Sequence, residues 1–184
     1  MHIISGLFRH RKIIAPEGKL TRPTSSRLRE TVFNICQMEI ANTHFLDICA
    51  GSGAMGLEAL SRGAESATFI DNSLDAAEAI SSNIKNFSVT EKSTLITKDA
   101  LSALIDLEKA GKKFNICYID PPYKQDELLL SLISFLDKSS LLAADATLFV
   151  EDDGNPFING LVLNQLTLDS KRKSGDSMLY VFRN

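Results

Sequence analysis

The sequence predicts an α/β fold: a mostly parallel sheet finished by an antiparallel hairpin. Two observations carry this. Short apolar runs at 44–50, 66–71, 93–97, 114–120 and 146–152 alternate with amphipathic helical segments, which is the pattern of βαβ units with helices on both faces. The last two apolar runs, 161–168 and 177–182, have no helix between them, so they should pair antiparallel.

At 184 residues, 44% hydrophobic and 23% charged, the chain fits one domain with a small appendage and is neither disordered nor fibrous. No apolar run approaches the ~20 residues of a membrane span, and the N-terminus lacks the apolar stretch of a secretory signal. Cys36, Cys49 and Cys117 are widely spaced and form no ligand cluster, so neither a metal nor a disulfide framework is expected. A reduced, cytoplasmic setting is the simplest expectation.

Each element has a local reason. HIISGLFRHRKIIA (2–15) reads as two short strands around Gly6 or the basic stretch, and Pro16, Gly18 and Pro23 break any regular element beyond it. Residues 1–23 therefore read as a hairpin extension and 24–184 as the main domain. A helix should run from Ser25 or Ser26, candidate N-caps, to about Met38. Leu28, Val32, Ile35 and Cys36 form its buried stripe, and Arg27, Glu30 and Asn34 its outer face. HFLDICA (44–50) leads through a glycine loop into a helix ending near Arg62. Asn72-Ser73 caps a helix with Ala77, Ile80, Ile84 and Phe87 on one face. A short helix carries Leu101, Leu104 and Ile105, and a longer one Leu128, Leu129, Leu132, Ile133 and Leu136. The closing strands are expected at 161–168 and 177–182, around a basic turn at Lys171-Arg172-Lys173.

Charge is unevenly placed. Residues 1–30 hold seven Lys/Arg against two acids, leaving 13 Lys/Arg against 21 Asp/Glu elsewhere. A basic head on an acidic body suggests a polyanion met by one end, although a solvated hairpin would look the same.

Gly51-Ser52-Gly53-Ala54-Met55-Gly56 comes after a strand and opens a helix, as a nucleotide-binding loop does. Asp71 ends the next strand, 18 residues after Gly53, where a carboxylate can accept both hydroxyls of a ribose. These features suit a nicotinamide cofactor or S-adenosylmethionine. Asp47 leans toward the second, because a carboxylate just before the loop can meet a cationic amino-acid end but would repel a pyrophosphate. Asp99 could reach an adenine edge, directly or through the next N–H, or could cap a helix, or do both.

The most specific signal is Asp120-Pro121-Pro122-Tyr123 at the end of the fourth parallel run, the edge where open α/β sheets bind ligands. Pro-Pro fixes two φ angles and removes two N–H donors. A carboxylate and a rigid carbonyl then form a two-acceptor clamp for an aromatic amine. Such a clamp can aim the amine lone pair at an electrophilic methyl. Tyr123 offers a stacking face worth about 1–3 kcal/mol.

In these motifs the chain resembles the class I S-adenosylmethionine-dependent methyltransferases with a Rossmann-like sheet. More narrowly, HIISG, RPTSSRLRETVFN (22–34), FLDICAGSGAMGLEALSRGA (45–64), YIDPPY (118–123) and KSGDSMLYVF (173–182) resemble the bacterial 16S rRNA (guanine-966-N2) methyltransferase family. RPTSSRLRE is the specific part. Asp71 stands where the family often has Glu, and Ser25-Ser26 where Thr-Asp is common. The resemblance implies seven strands with the last antiparallel. It implies S-adenosylmethionine held by Asp47, Gly51, Gly53, Asp71, Asp99 and Ala100, with Ala50, Ser52, Asn72 and Asp120 adjoining. Asp120, Pro121, Pro122 and Tyr123 would hold a flipped guanine. Arg9, Arg11, Lys12, Arg22, Arg27, Lys171, Arg172 and Lys173 would meet RNA. The implied partner is 16S rRNA or the small ribosomal subunit, met by a monomer without metal. The rival readings are an N6-adenine methyltransferase, which would need a target-recognition region, a noncatalytic RNA-binding assembly factor, and a nicotinamide oxidoreductase.

Overall fold

The computed structural model describes residues 1–16, 25–122, 125–175 and 177–184. Within them seven strands form one sheet: β1 (His44–Ile48), β2 (Ser66–Asp71), β3 (Ser93–Thr97), β4 (Phe114–Ile119), β5 (Leu142–Asp152), β6 (Thr167–Ser174) and β7 (Ser177–Arg183). Their order is β3-β2-β1-β4-β5-β7-β6. The first five are parallel, and β7 runs antiparallel to both β5 and β6. The order reverses between β1 and β4, so a crevice opens beyond their carboxyl ends, where ligands bind such sheets.

The apolar runs form buried strands because both faces are covered. One face packs under α1 (Ser26–Ile35), α2 (Ala54–Ser61) and α3 (Leu74–Phe87), with Val32, Leu57, Phe69, Ile80 and Tyr118 in its core. The other packs under α4 (Ala100–Lys109) and α5 (Asp126–Lys138), with Leu46, Leu104, Cys117, Leu132 and Leu148. Ser25 caps α1 by accepting from the Leu28 N–H at 3.1 Å, and Ser73 caps α3 by accepting from Ala76 at 3.3 Å.

The N-terminal segment turns back on itself with a single antiparallel bridge, His2 to Lys12, rather than two extended strands. It is held from below. Ile3 and Ile13 are buried in the α1–α3 core. The carboxylate of buried Glu58, on α2, accepts the N–H groups of Ile4 at 2.8 Å and Ser5 at 3.0 Å. Arg62 donates to the same carboxylate at 2.8 Å, and the buried Arg29 lies 3.7 Å from it.

Three boundaries differ from the sequence expectation. α1 ends at Ile35, short of Met38. β5 begins at Leu142, because a bulge lets Phe114 pair Leu142 and Ile116 pair Thr147. Asp145 takes up the bend at φ 58°, and the exposed Ala144 and Asp145 interrupt the apolar run. The sixth strand lies at 167–174, not 161–168. The segment before it is instead folded onto Asp137, whose carboxylate accepts the N–H groups of Asn164, Gln165 and Leu166 at 2.8–3.0 Å. As an edge strand, β6 is held by ladder bonds to β7 rather than by an apolar face, so its sequence TLDSKRKS carries no strand-like pattern. Lys171, Arg172 and Lys173 accordingly lie within this strand, not in a turn, and are exposed.

Candidate active site

The glycine loop is shaped by its backbone. Gly53, at the N-cap of α2, has φ 74°, a conformation side chains resist. A Cβ on Gly56 would sit 2.3 Å from the Phe69 ring, so the absent side chain lets α2 lie close on β2. Two carboxylates then fix the loop. Asp47, wholly buried on β1, accepts the Gly56 N–H at 2.9 Å. Asp71, at the end of β2, accepts from Gly51 at 2.8 Å through one oxygen and from Ser73 at 2.9 Å through the other. Each Asp71 oxygen keeps a lone pair for a hydroxyl donor.

A cavity of about 780 Å³ lies over this loop. It is lined by Asp47, Ala50, Gly51, Ser52, Asp71, Asn72, Asp99 and Ala100, and also by Asp120, Pro121 and Pro122. The glycine crevice and the Asp-Pro-Pro segment therefore share one chamber. Gly53 is buried beneath the loop rather than facing it. Asp99 caps α4, accepting from Ser102 at 3.0 Å, and lines the cavity as well. Tyr123 and Arg22 lie outside the described residues.

The chamber is strongly acidic, and buried groups register it. Burial pushes the Asp47 carboxyl up to about 7; the Gly56 N–H pulls the other way, and the charge of Asp71 pushes with it. The half-buried Cys49 thiol is pushed up to about 12 by burial and then by the charges of Asp71, Asp120, Asp47 and Asp99. Cys49 is no nucleophile at neutral pH. The Asp99 carboxyl is held below its ordinary range, chiefly by its Ser102 hydrogen bonds.

Four features of the site carry no sequence signal that singles them out. Tyr118, buried on β4, donates its hydroxyl to Glu151 on β5, and Ser177 on β7 donates to the other Glu151 oxygen at 2.9 Å. All three line the cavity. Asn83 on α3 reads as a polar residue on an amphipathic helix, yet it is wholly buried. Its amide donates to Ser52 O at 3.0 Å and Ile14 O at 2.8 Å, and its oxygen accepts from Ile14 N at 2.8 Å. The strand period puts Tyr118 on the same face as Asp120, but it does not single out Tyr118 or show which residues that face meets. Nothing short of the fold could have found Asn83.

The basic residues do not gather at one place. Ser174 and Gly175 line the cavity, so Lys171–Lys173 lead directly to its edge. The hairpin tip goes the other way. Leu7 N donates to Ser61 O, at the far end of α2, at 2.7 Å. The Arg11 guanidinium lies 4.5 Å over the Phe87 ring and bonds Asn86 O. Asn86 is 13 residues along α3 from the cavity-lining Ser73, a span of about 20 Å. Arg11 thus fastens the hairpin to α3. Arg9, Lys12 and Arg27 are exposed.

Residues 1–183 match the family model described as "Conserved hypothetical protein 95". Ribosomal RNA small subunit methyltransferase D of Escherichia coli is 35% identical over 153 residues, covering 83% of this chain and 75% of that protein. The chain belongs to this family. The fold agrees. The structure of the E. coli candidate methyltransferase yhhF superposes with a TM-score of 0.84 at 30% identity, covering 100% of this chain and 97% of that one. A remoter structure, the candidate methyltransferase SMU.776 solved with SAH, has a TM-score of 0.66 at 12% identity over 85% of this chain and 49% of its own; it shares the fold. The seven-stranded Rossmann-like architecture of class I methyltransferases is therefore the architecture of this family member. Among the described residues no helix is long and apolar enough to cross a membrane.

Proposed function

We propose that the chain transfers the methyl group of S-adenosylmethionine to the exocyclic N2 of a guanine in 16S rRNA, guanine 966 by family resemblance. The observation that carries this is the shared chamber: Asp120 and its prolines line the same cavity as the glycine loop and its carboxylates. Its size falls within the ~300–1,000 Å³ of small-molecule sites. Its acceptor groups, the carboxylates of Asp47, Asp71 and Asp99 among them, suit a ligand rich in hydroxyl and cationic groups. The name borne by the E. coli relative is the second support.

S-adenosylmethionine, when bound, supplies a methyl group on a sulfonium, which needs no further activation. The protein's work is placement. Asp71 would accept the ribose hydroxyls, Asp47 would face the cationic amino-acid end, and Asp99 with the Ala100 N–H would meet the adenine edge. Asp120 and the Pro121 carbonyl would accept the two hydrogens of the guanine amine. Drawing both hydrogens to one side makes the nitrogen pyramidal and turns its lone pair toward the methyl, with no proton removed beforehand; the N–CH3 bond would form as the S–CH3 bond breaks, and the surplus proton would then leave the nitrogen to Asp120 or water. Tyr123 would stack on the base, offsetting the few kcal/mol of unstacking a nucleotide. Lys171, Arg172 and Lys173 at the cavity edge would meet nearby phosphates. Arg9 at the hairpin tip would meet a more distant one, and Lys12, Arg22 and Arg27 would meet others.

The test is mass spectrometry of rRNA nucleosides from cells lacking the protein, before and after treatment with the enzyme and methyl-labelled S-adenosylmethionine. Loss and restoration of N2-methylguanosine in small-subunit rRNA is the expected result. Label in N6-methyladenosine, or no label, would overturn the reading.

A further inference from the structure

We infer that Glu151 determines the choice of guanine by accepting the N1–H of the target base, with Tyr118 and Ser177 as positioning residues. This rests on the guanine-N2 reading above and names how that site tells guanine from the other bases.

Ile119 and Val150 are paired neighbours on adjacent parallel strands. Asp120 and Glu151 are the next residues along each, so continuing that register sets their backbones about one strand spacing apart, ~4.8 Å. Both line the cavity. Asp120 lies beside the reversal of strand order, next to the glycine loop. Glu151 lies one strand further from it. A base whose amine sits at Asp120 would thus turn the rest of its Watson–Crick edge toward Glu151.

The chemistry of that edge is decisive. Guanine alone presents two adjacent donors, N1–H and the N2 amine. Adenine N1 and cytosine N3 are acceptors, and a carboxylate facing either meets lone pair against lone pair. Two neighbouring carboxylates match a donor-donor edge and reject the others.

Glu151 is also built to be held. Tyr118 donates to one oxygen and Ser177 to the other, from strands on either side. Each oxygen has a further acceptor position, and the two donors fix where it points. Asp126, Asp152 and Asp153 also line the chamber, but none of them is gripped by two side-chain donors as Glu151 is. Asp152 accepts the N–H of Gly154 at 2.7 Å and that of Asn155, closing the turn after β5. Asp126 lies in the first turn of α5, and Asp153 is exposed. A carboxylate that only tied β4 to β7 would not need to line the chamber.

The experiment uses small-subunit rRNA carrying either guanine or 2-aminopurine at the target position. 2-Aminopurine keeps the N2 amine but has a lone pair at N1. The wild-type protein should methylate guanine at least about tenfold faster, the scale of one good base contact. Glu151→Gln, which keeps shape and can turn an amide N–H toward that lone pair, should lower the rate on guanine and collapse the guanine/2-aminopurine ratio about tenfold or more. Tyr118→Phe, which removes only the hydroxyl, should lower the ratio less and leave cofactor affinity unchanged. A ratio unchanged in both variants, with N2-methylation intact, overturns the role of Glu151 and leaves the guanine-N2 reading standing. A wild-type protein that methylates neither base overturns both.

Discussion

Asn83 donates to the carbonyl of Ser52 at 3.0 Å, so a buried amide on α3 holds the glycine loop from beneath. The same amide holds both backbone groups of Ile14. One side chain therefore joins the hairpin, the helix and the loop.

Asn83→Ala should lower stability by about 2–3 kcal/mol, since the three hydrogen bonds of a buried amide are lost. It should also weaken S-adenosylmethionine binding through the loosened loop. Denaturant unfolding and calorimetric titration measure the two effects. An unchanged midpoint would show that water replaces the amide.

Asp47 ties cofactor affinity to pH. Its carboxyl is pushed up to about 7 by burial, against about 3.9 in an unfolded chain. A raised acid pKa adds stability at low pH, and that contribution is lost as pH climbs from about 4 through 7. A cationic ligand end needs the ionised form, so affinity should rise between about pH 6 and 8. Asp47→Asn should flatten both profiles. A wild-type affinity constant over that range would remove Asp47 from contact with a cation.

Asp120→Ala should cut turnover by about 10²-fold or more, the scale of lost positioning and electrostatics, while changing cofactor affinity far less. Single-turnover rates and equilibrium titration separate the two. Equal losses in both would place Asp120 with the cofactor instead of the amine.

Glu58→Ala should destabilise the protein by about 3–5 kcal/mol, because it strands the buried Arg29 and releases the N–H groups of Ile4 and Ser5. Glu58→Gln should cost less. Thermal unfolding reads this directly, and hydrogen exchange at Ile4 and Ser5 should speed up in both variants.

The two basic regions should differ in their effect on RNA binding. Neutralising Lys171, Arg172 and Lys173 should reduce the salt slope of binding by about 0.7 per lost phosphate contact and lower turnover. Neutralising Arg9, at the hairpin tip beside the Leu7–Ser61 contact, should reduce the slope with little effect on single-turnover rate. Arg11 belongs in neither set, because its removal also frees the hairpin from Phe87. Identical effects from both sets would contradict their different distances from the chamber.

The glycine loop, Asp71 and the Asp-Pro-Pro segment are legible in the sequence because each motif is local. Its residues are contiguous, and a strand before and a helix or turn after are enough to aim them. β6 is not legible, since its support is a ladder to β7 and its residues are polar. The Lys171–Lys173 run can be seen but not placed, and the hairpin's direction away from the chamber depends on contacts with Ser61, Asn86 and Phe87 that no local pattern encodes.

By itself the sequence determined which segments are buried and where the backbone must turn or lack a donor: hydrophobic period, glycine and proline act within a few residues of themselves. Only the tertiary structure decided that Glu151 stands beside Asp120, that Tyr118 and Ser177 grip it, and that Asn83 underpins the loop. Those pairings span dozens of residues and arise from strand order, a property of how the whole sheet closes rather than of any stretch within it.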